Sequence, residues 1–378
     1  YDVIEGSPGL EYYKAQVEYT YNSLEQWSGL GLAYKINNNW SVGLSFFGAY
    51  TNIETRSVER VSADAIANGL PYTTSVSEFN GMRLDQITQV FKLGVAAKMG
   101  HFNWGLSVTT PGIKIWGQAK LEKSFEVYNL NLNASDTSLI AQRYPSFVIS
   151  DGQKRLKSNY QIPFSASTGF KFVYPRFTVA AAIEYFMGYK SKTIVSGADR
   201  SAIRPIGIYG NDTLPNFLTL ETGANYVINA GIGAEIKAAE NIGVLMGART
   251  DFSNRTDYLP SNNSVNILSA RQPVWSYLYL STGIIYRLKP HNLTVGFDYG
   301  LGFTNTSLQI YNVTNPTQNN YLRGDLDHTM QTSVHKLNFI FSYSYTFKPK
   351  EKKFGPMFFV DEIKKTKKNK AKKRNGKK

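Results

Sequence analysis

The chain has 378 residues, of which 14% are aromatic and none is cysteine, and its formal charge is +14. The lack of cysteine excludes a disulfide scaffold and any cysteine-ligated metal. No run of about 18 apolar residues occurs, so no membrane-crossing helix is expected, although crossing strands carry only a weak alternating signal. The charge is unevenly placed: Lys348–Lys378 holds 14 of the 42 basic residues and 3 of the 28 acidic ones, so a near-neutral body carries a basic tail.

No signal peptide is visible at Tyr1, and the chain reads as a processed or trimmed form. Residues 1–13, with Gly6-Ser7-Pro8-Gly9-Leu10, read as an irregular lead-in on the periplasmic side. A first strand over Lys14–Tyr21 places Ala15, Val17, Tyr19 and Tyr21 on one face and Gln16, Glu18 and Thr20 on the other. A second strand follows through Leu30, Leu32, Tyr34 and Ile36. Asn37-Asn38-Asn39 predicts a tight turn, since asparagine tolerates positive φ, and Trp40, Val42, Leu44 and Phe46 open a third strand.

The same unit recurs to the end of the body. Phe91, Leu93, Val95 and Ala97 alternate with polar or small residues, turn at Gly100-His101, and return through Phe102, Trp104, Leu106 and Val108. Further hairpins turn at Tyr174-Pro175-Arg176, at 237–241 and at 289–292. The last segment, Val334–Phe347, alternates through Leu337, Phe339, Phe341, Tyr343 and Tyr345, and is expected to close the set against the first strand. Short turns alternate with long polar connections near 56–85, 116–160, 188–222, 254–273 and 305–333. That is the layout of an outer-membrane barrel, and an even strand count puts both ends on the short-turn side.

The predicted fold is therefore all-β: a transmembrane antiparallel β-barrel over 14–347, of about 12–14 strands, embedded in outer-membrane lipids, with a periplasmic tail over 348–378. The larger strand number applies if Ile115–Asn131 forms an extra hairpin. A soluble β-sandwich would favour Val, Ile and Leu on the buried faces. Here Trp40, Trp104, Tyr185, Tyr286, Tyr345 and Phe347 gather at strand ends, where an interfacial girdle belongs.

Three stretches carry a family likeness: Ser28–Leu44 (SGLGLAYKINNNWSVGL), Phe91–Pro111 (FKLGVAAKMGHFNWGLSVTTP) and Asn229–Tyr258 (NAGIGAEIKAAENIGVLMGARTDFSNRTDY). They resemble the repeated hairpin of the FadL-type family of outer-membrane transport proteins. Gly6-Ser7-Pro8-Gly9-Leu10 sits where that family has Asn-Pro-Ala-Gly-Leu at the end of an N-terminal plug, and here the Asn and Ala are missing. The resemblance implies a barrel that moves fatty-acid-like hydrophobic molecules without energy coupling, through a plugged lumen with a sideways exit. It also implies a second use, since some relatives serve as barrel subunits of secretion machinery. The tail departs from the family, whose chains end at the aromatic close of the last strand.

The alternation places Glu18, Lys35, Lys92, Lys98, Lys171, Glu184, Glu235, Arg249, Asp251, Arg287 and Asp298 inside. Mixed signs suit a bracing charge network more than a one-sign selectivity ring. Arg249 or Arg287 is a candidate anchor for a ligand carboxylate, which a guanidinium binds bidentately. Phe47, Phe186, Tyr277 and Tyr279 are candidate contacts for an acyl chain, with Asp251 beside them. Pro111-Gly112 interrupts a strand, because proline removes a ladder bond, and is the candidate lateral portal.

The histidines (His101, His291, His328, His335) have no HExxH-type partner, and no Gly-x-Ser-x-Gly elbow occurs, so neither an enzyme, a metal nor a cofactor is expected. In the tail, Phe354, Pro356, Met357, Phe358 and Phe359 form an apolar cluster ahead of the basic run from Lys364. The cluster is expected to dock a periplasmic or outer-membrane protein partner; nucleic acid is not expected in that compartment.

Overall fold

A computed structural model describes residues 12–67, 70–130, 146–204, 215–254, 267–269, 275–288, 290–307, 311–312, 315–317, 321–324 and 330–346. The strands are β1 (Tyr12–Lys35), β2 (Trp40–Ala67), β3 (Leu70–Met99), β4 (Phe102–Thr109), β5 (Ile113–Tyr128), β6 (Phe147–Lys157), β7 (Ser165–Val173), β8 (Phe177–Phe186), β9 (Tyr189–Ser196), β10 (Ile203–Arg204), β11 (Thr219–Ala224), β12 (Val227–Lys237), β13 (Ile242–Asp251), β14 (Ile267–Ser269), β15 (Ser276–Leu288), β16 (His291–Ser307) and β17 (Met330–Tyr345). Fourteen of them join one curled antiparallel sheet, and β14, β11 and β9 form a second sheet of three.

The outer surface of the large sheet carries the apolar residues. Phe339 and Phe341 are 79% and 74% exposed, and Leu30, Leu32, Leu44, Leu93, Ile232, Leu280 and Ile284 face the same way. Exposure of such a band to water would be prohibitive, so its solvent is hydrocarbon. At the short-turn end Trp40 packs edge-on to Trp104, with ring centroids 6.2 Å apart. The strand between them presents only Ala97, which their rings bury. The fold is the all-β barrel wall of an outer-membrane protein.

The turns form where expected. Gly100 takes φ +61°, the left-handed conformation that the hairpin to Phe102 needs. At Asn37–Asn39 the mechanism differs from the expectation. No residue of this turn has positive φ; instead Asn37 Oδ1 accepts the Asn39 and Trp40 backbone N–H groups, each at 2.8 Å. The side chain mimics the missing backbone partner.

Four expectations need correction. The first and second strands are one strand, β1, paired residue by residue with β2 from Tyr12↔Asp64 to Lys35↔Ser41. Its phase is set by the lower half, so Tyr13 and Val17 turn inward and Glu18 turns outward. Above the hydrocarbon the inner face is the apolar one, because the mouth is filled with protein. Second, the stretches near 56–85 and 116–128 are not loops but continuations of β2, β3 and β5 beyond the band, and Ile113–Tyr128 runs on from β4 along the same neighbour, β3, without forming an extra hairpin. Third, β17 does not close on β1. Among the described residues β17 pairs only with β16 and β1 only with β2. Both run from the long-loop end to the short-turn end, so antiparallel pairing between them is ruled out by direction. Fourth, for the same reason β1 starts at the long-loop end, whereas an even count put both ends on the short-turn side.

Candidate functional site

The inner face of β13, β15, β16 and β17 builds one connected cluster. Tyr277 and Tyr279 on β15 are stacked with centroids 5.6 Å apart and are nearly buried. They lie flat because β16 offers glycine opposite each: a Cβ on Gly302 would come within 2.5 Å of the Tyr277 ring, and one on Gly300 within 2.5 Å of the Tyr279 ring. Each ring carries a cation. The Arg249 guanidinium sits 3.8 Å from the Tyr279 centroid and the Lys336 ammonium 4.0 Å from that of Tyr277, within the range of strong cation–π attraction.

Asp298 ties this cluster together. Arg249 Nη2 donates to its Oδ2 at 3.2 Å, Ser281 Oγ donates to Oδ1 at 2.8 Å, and Asn338 Nδ2 reaches Oδ2 at 3.5 Å. Arg249 is thus already engaged by a carboxylate and a ring. Among the described residues Lys336 contacts the Tyr277 ring and, unlike Arg249, forms no ion pair with a carboxylate.

The other sequence candidates fall elsewhere. Arg287 forms an ion pair with Glu235 at 2.6 Å near the short turns, eight positions along β15 from Tyr279, and braces the lower lumen. Asp251 is exposed at the upper end of β13, opposite Tyr277. Phe47 is on the far side of the sheet, edge-on to Trp27 at 5.7 Å with the Lys92 ammonium 5.9 Å from its ring. Phe186 is half-buried at the upper end of β8. Arg249, Tyr277 and Tyr279 are therefore brought together, and Phe47, Phe186 and Arg287 are not. Phe354, Pro356, Met357, Phe358 and Phe359 lie outside the described residues.

Pro111 and Gly112 stand at a discontinuity of the wall. β4 pairs with β7 up to Thr109↔Ser165, and β5 pairs with β6 only from Gln118↔Lys157. Between these limits one backbone hydrogen bond crosses, Gly112 N to Ile162 O at 2.9 Å. The break sits beside Gln86–Phe91 of β3. Counted from Ala97, the partner of Trp40, at about 3.3 Å per residue and a strand tilt of about 40°, that is about 15–28 Å above the girdle, in the upper part of an apolar band of about 25 Å. Ile113, Ile115 and Trp116 stand exposed on its outer side. Ile162 and Tyr160 turn inward and pack on Ala49 and Val90.

Above the break the lumen is filled. The inward residues of β2, β3 and β5 (Val61, Val76, Leu84, Leu121, Phe125) pack against Val195 and Leu220 of the smaller sheet and against Leu322. Arg323 enters this core with Leu322 and pairs with Glu78 and, at 3.5 Å, with Glu59. Lys123, almost wholly buried, lies 3.8 Å from Glu78. Burial pushes the Glu78 carboxyl up, but the Arg323 and Lys123 charges outweigh it and hold the group below the usual carboxylate range. Burial pushes the Lys123 ammonium down despite Glu78.

The fold and its banding define an outer-membrane β-barrel. Within that class the chain is similar to a FadL homologue of Pseudomonas aeruginosa, at 15% identity and a TM-score of 0.45 over 86% of this chain and 68% of that one. It is also similar to the Pseudomonas putida toluene transporter TodX (13% identity, TM-score 0.38, 89% of each chain). The CymD monoaromatic hydrocarbon channel is a third (11%, 0.35, 79% of this chain and 85% of that one). No protein-family model matches the chain, and no curated protein matches it.

Proposed function

We propose that this protein is a passive outer-membrane channel for hydrophobic small molecules with an acyl or aromatic body, which leave the lumen sideways through the wall. The observation that carries this reading is the loss of ladder pairing between 110–117 and 158–164, at the level of the outer leaflet and with apolar side chains on both its faces. A wall in hydrocarbon keeps its backbone bonds satisfied, so a break there needs a reason. On the lumen side of the buried Tyr277–Tyr279 pair, Lys336, and not the carboxylate-engaged Arg249, is the cation that would meet a headgroup.

The test is entry of a fluorescent polyaromatic hydrocarbon into proteoliposomes containing the full chain. Entry faster than into empty vesicles, with no gain for a sugar of similar size, supports the reading; equal rates overturn it. The packed core at the mouth favours a second reading, a non-transporting barrel subunit that docks a protein partner through Phe354–Phe359. Truncation at Lys348 that leaves co-purifying proteins unchanged overturns that one.

A further inference from the structure

We propose that Gln86 is the positioning residue of the lateral opening: its side-chain amide stands in for the missing strand neighbour of Tyr160 and holds segment 158–164 across the break. The proposal rests on the sideways-exit reading above.

Gln86 is fully buried on the inner face of β3, where an uncharged amide has to be satisfied locally. It is satisfied completely. Its Oε1 accepts from Tyr160 N at 3.1 Å and from Ser158 Oγ at 2.9 Å. Its Nε2 donates to Tyr160 O at 2.6 Å and to Thr88 Oγ1 at 2.9 Å. The pair of bonds to Tyr160 N–H and C=O repeats what one residue of an antiparallel neighbour would give. Other backbone groups of the segment are held by scattered partners: Asn159 N donates to Ile194 O at 2.7 Å, Lys114 Nζ to Ser158 O at 2.7 Å, Gly112 N to Ile162 O at 2.9 Å and Met187 N to Phe164 O at 2.9 Å.

The surroundings have been cut to fit this segment. A Cβ on Gly117 would collide with Ser158 Oγ, and one on Gly112 with the Thr88 methyl and Ile162. The segment therefore lies against the inner side of the wall, not in its plane. Its withdrawal would uncover the apolar pair Ala49 and Val90 and leave the gap between Thr109 and Gln118. Three of the four bonds on the Gln86 amide reach the segment and the fourth, to Thr88, orients the amide, so this one side chain sets how readily the segment leaves.

The experiment uses the full chain in liposomes, comparing wild type with Gln86→Leu, which keeps the volume and removes all four bonds. Hydrogen exchange is read on peptides covering 158–164, together with entry of the polyaromatic probe. The expected result is at least a tenfold rise in exchange confined to 158–164, with β3 and β4 unchanged, and a several-fold change in probe entry. Unchanged exchange at 158–164 overturns the Gln86 assignment whatever entry does. Raised exchange with unaltered entry leaves Gln86 as the holder of the segment and overturns the exit at this break. Where Gln86→Leu fails to insert, Ser158→Ala removes one bond of the four, and a smaller rise confined to the same peptides is required. A rise spread over β3, β4 and β5 would mark a general structural role and also overturn the proposal.

Discussion

The Arg249 guanidinium lies 3.8 Å over the Tyr279 ring while holding Asp298 at 3.2 Å. The two contacts use different surfaces of one planar group, its face and its edge. That division fixes the cation against the wall and keeps it out of the lumen's centre.

Replacement of Asp298 by Ala would leave Ser281, Arg249 and Asn338 without their common acceptor. The expected cost is about 1–3 kcal/mol, as for a buried network losing its hub. Heat-modified migration of the folded barrel on gels measures it. Asp298→Asn keeps an acceptor and is expected to recover part of the loss.

Gly302→Val places a branched side chain where the Tyr277 ring now rests. The ring must tilt into the lumen, lifting Lys336 with it. Overpacking of this kind costs about 1–3 kcal/mol. Tyrosine fluorescence and binding of an aromatic probe are both expected to change, whereas Gly302→Ala should give the smaller effect of the two.

Glu78 gives the mouth its pH dependence. Its folded carboxyl is held below the ordinary range, so the stability it confers is complete above the unfolded value and is lost as pH falls through the folded one. The core that contains Leu322 and Arg323 is expected to loosen below about pH 4, the ordinary glutamate range. Glu59, 3.5 Å from Arg323, and the neutral Tyr311 phenol face the same charges. Limited proteolysis near 321–324 at falling pH would show it; cleavage unchanged between neutral pH and pH 3 would contradict it.

The same cluster separates two substitutions. Glu78→Ala removes from a dry site the carboxylate that pairs with Arg323 and lies 3.8 Å from Lys123, and about 3–5 kcal/mol is the usual cost of such a loss. Lys123→Met removes a charge whose burial already opposes it, and is expected to be near neutral. Chemical unfolding of the mouth, followed by the exposure of Phe125 and Phe217, distinguishes them.

Much of this arrangement was legible in the residue order. Period-two alternation gave the wall, its faces and the hairpin turns, because in lipid every strand must show an apolar outer face. Pro111 marked the break, since its missing N–H leaves a physical signature in sequence. Arg249, Tyr277 and Tyr279 could be placed on one face by parity alone. Parity failed at Glu18 and over 56–85, where the strand leaves hydrocarbon and the apolar face switches inside: the same pattern then means the opposite side. Direction, too, was hidden, because two short alternating runs look alike whether or not a bend divides them. Gln86 and Arg323 gave no signal at all. Their roles come from partners 74 and 245 positions away, and nothing in the local pattern encodes these. Only the glycines opposite Tyr277 and Tyr279 could have hinted at the flat rings.

The core around Leu84, Leu121 and Leu322 lies beyond the apolar band, so this molecule answers to two solvents. Lipid holds the lower wall through satisfied backbone bonds, and denaturant in the aqueous phase reaches it poorly. Water holds the mouth through the ordinary hydrophobic effect, which urea weakens directly. The two halves therefore come apart in order, with the mouth opening first while the wall below it still stands.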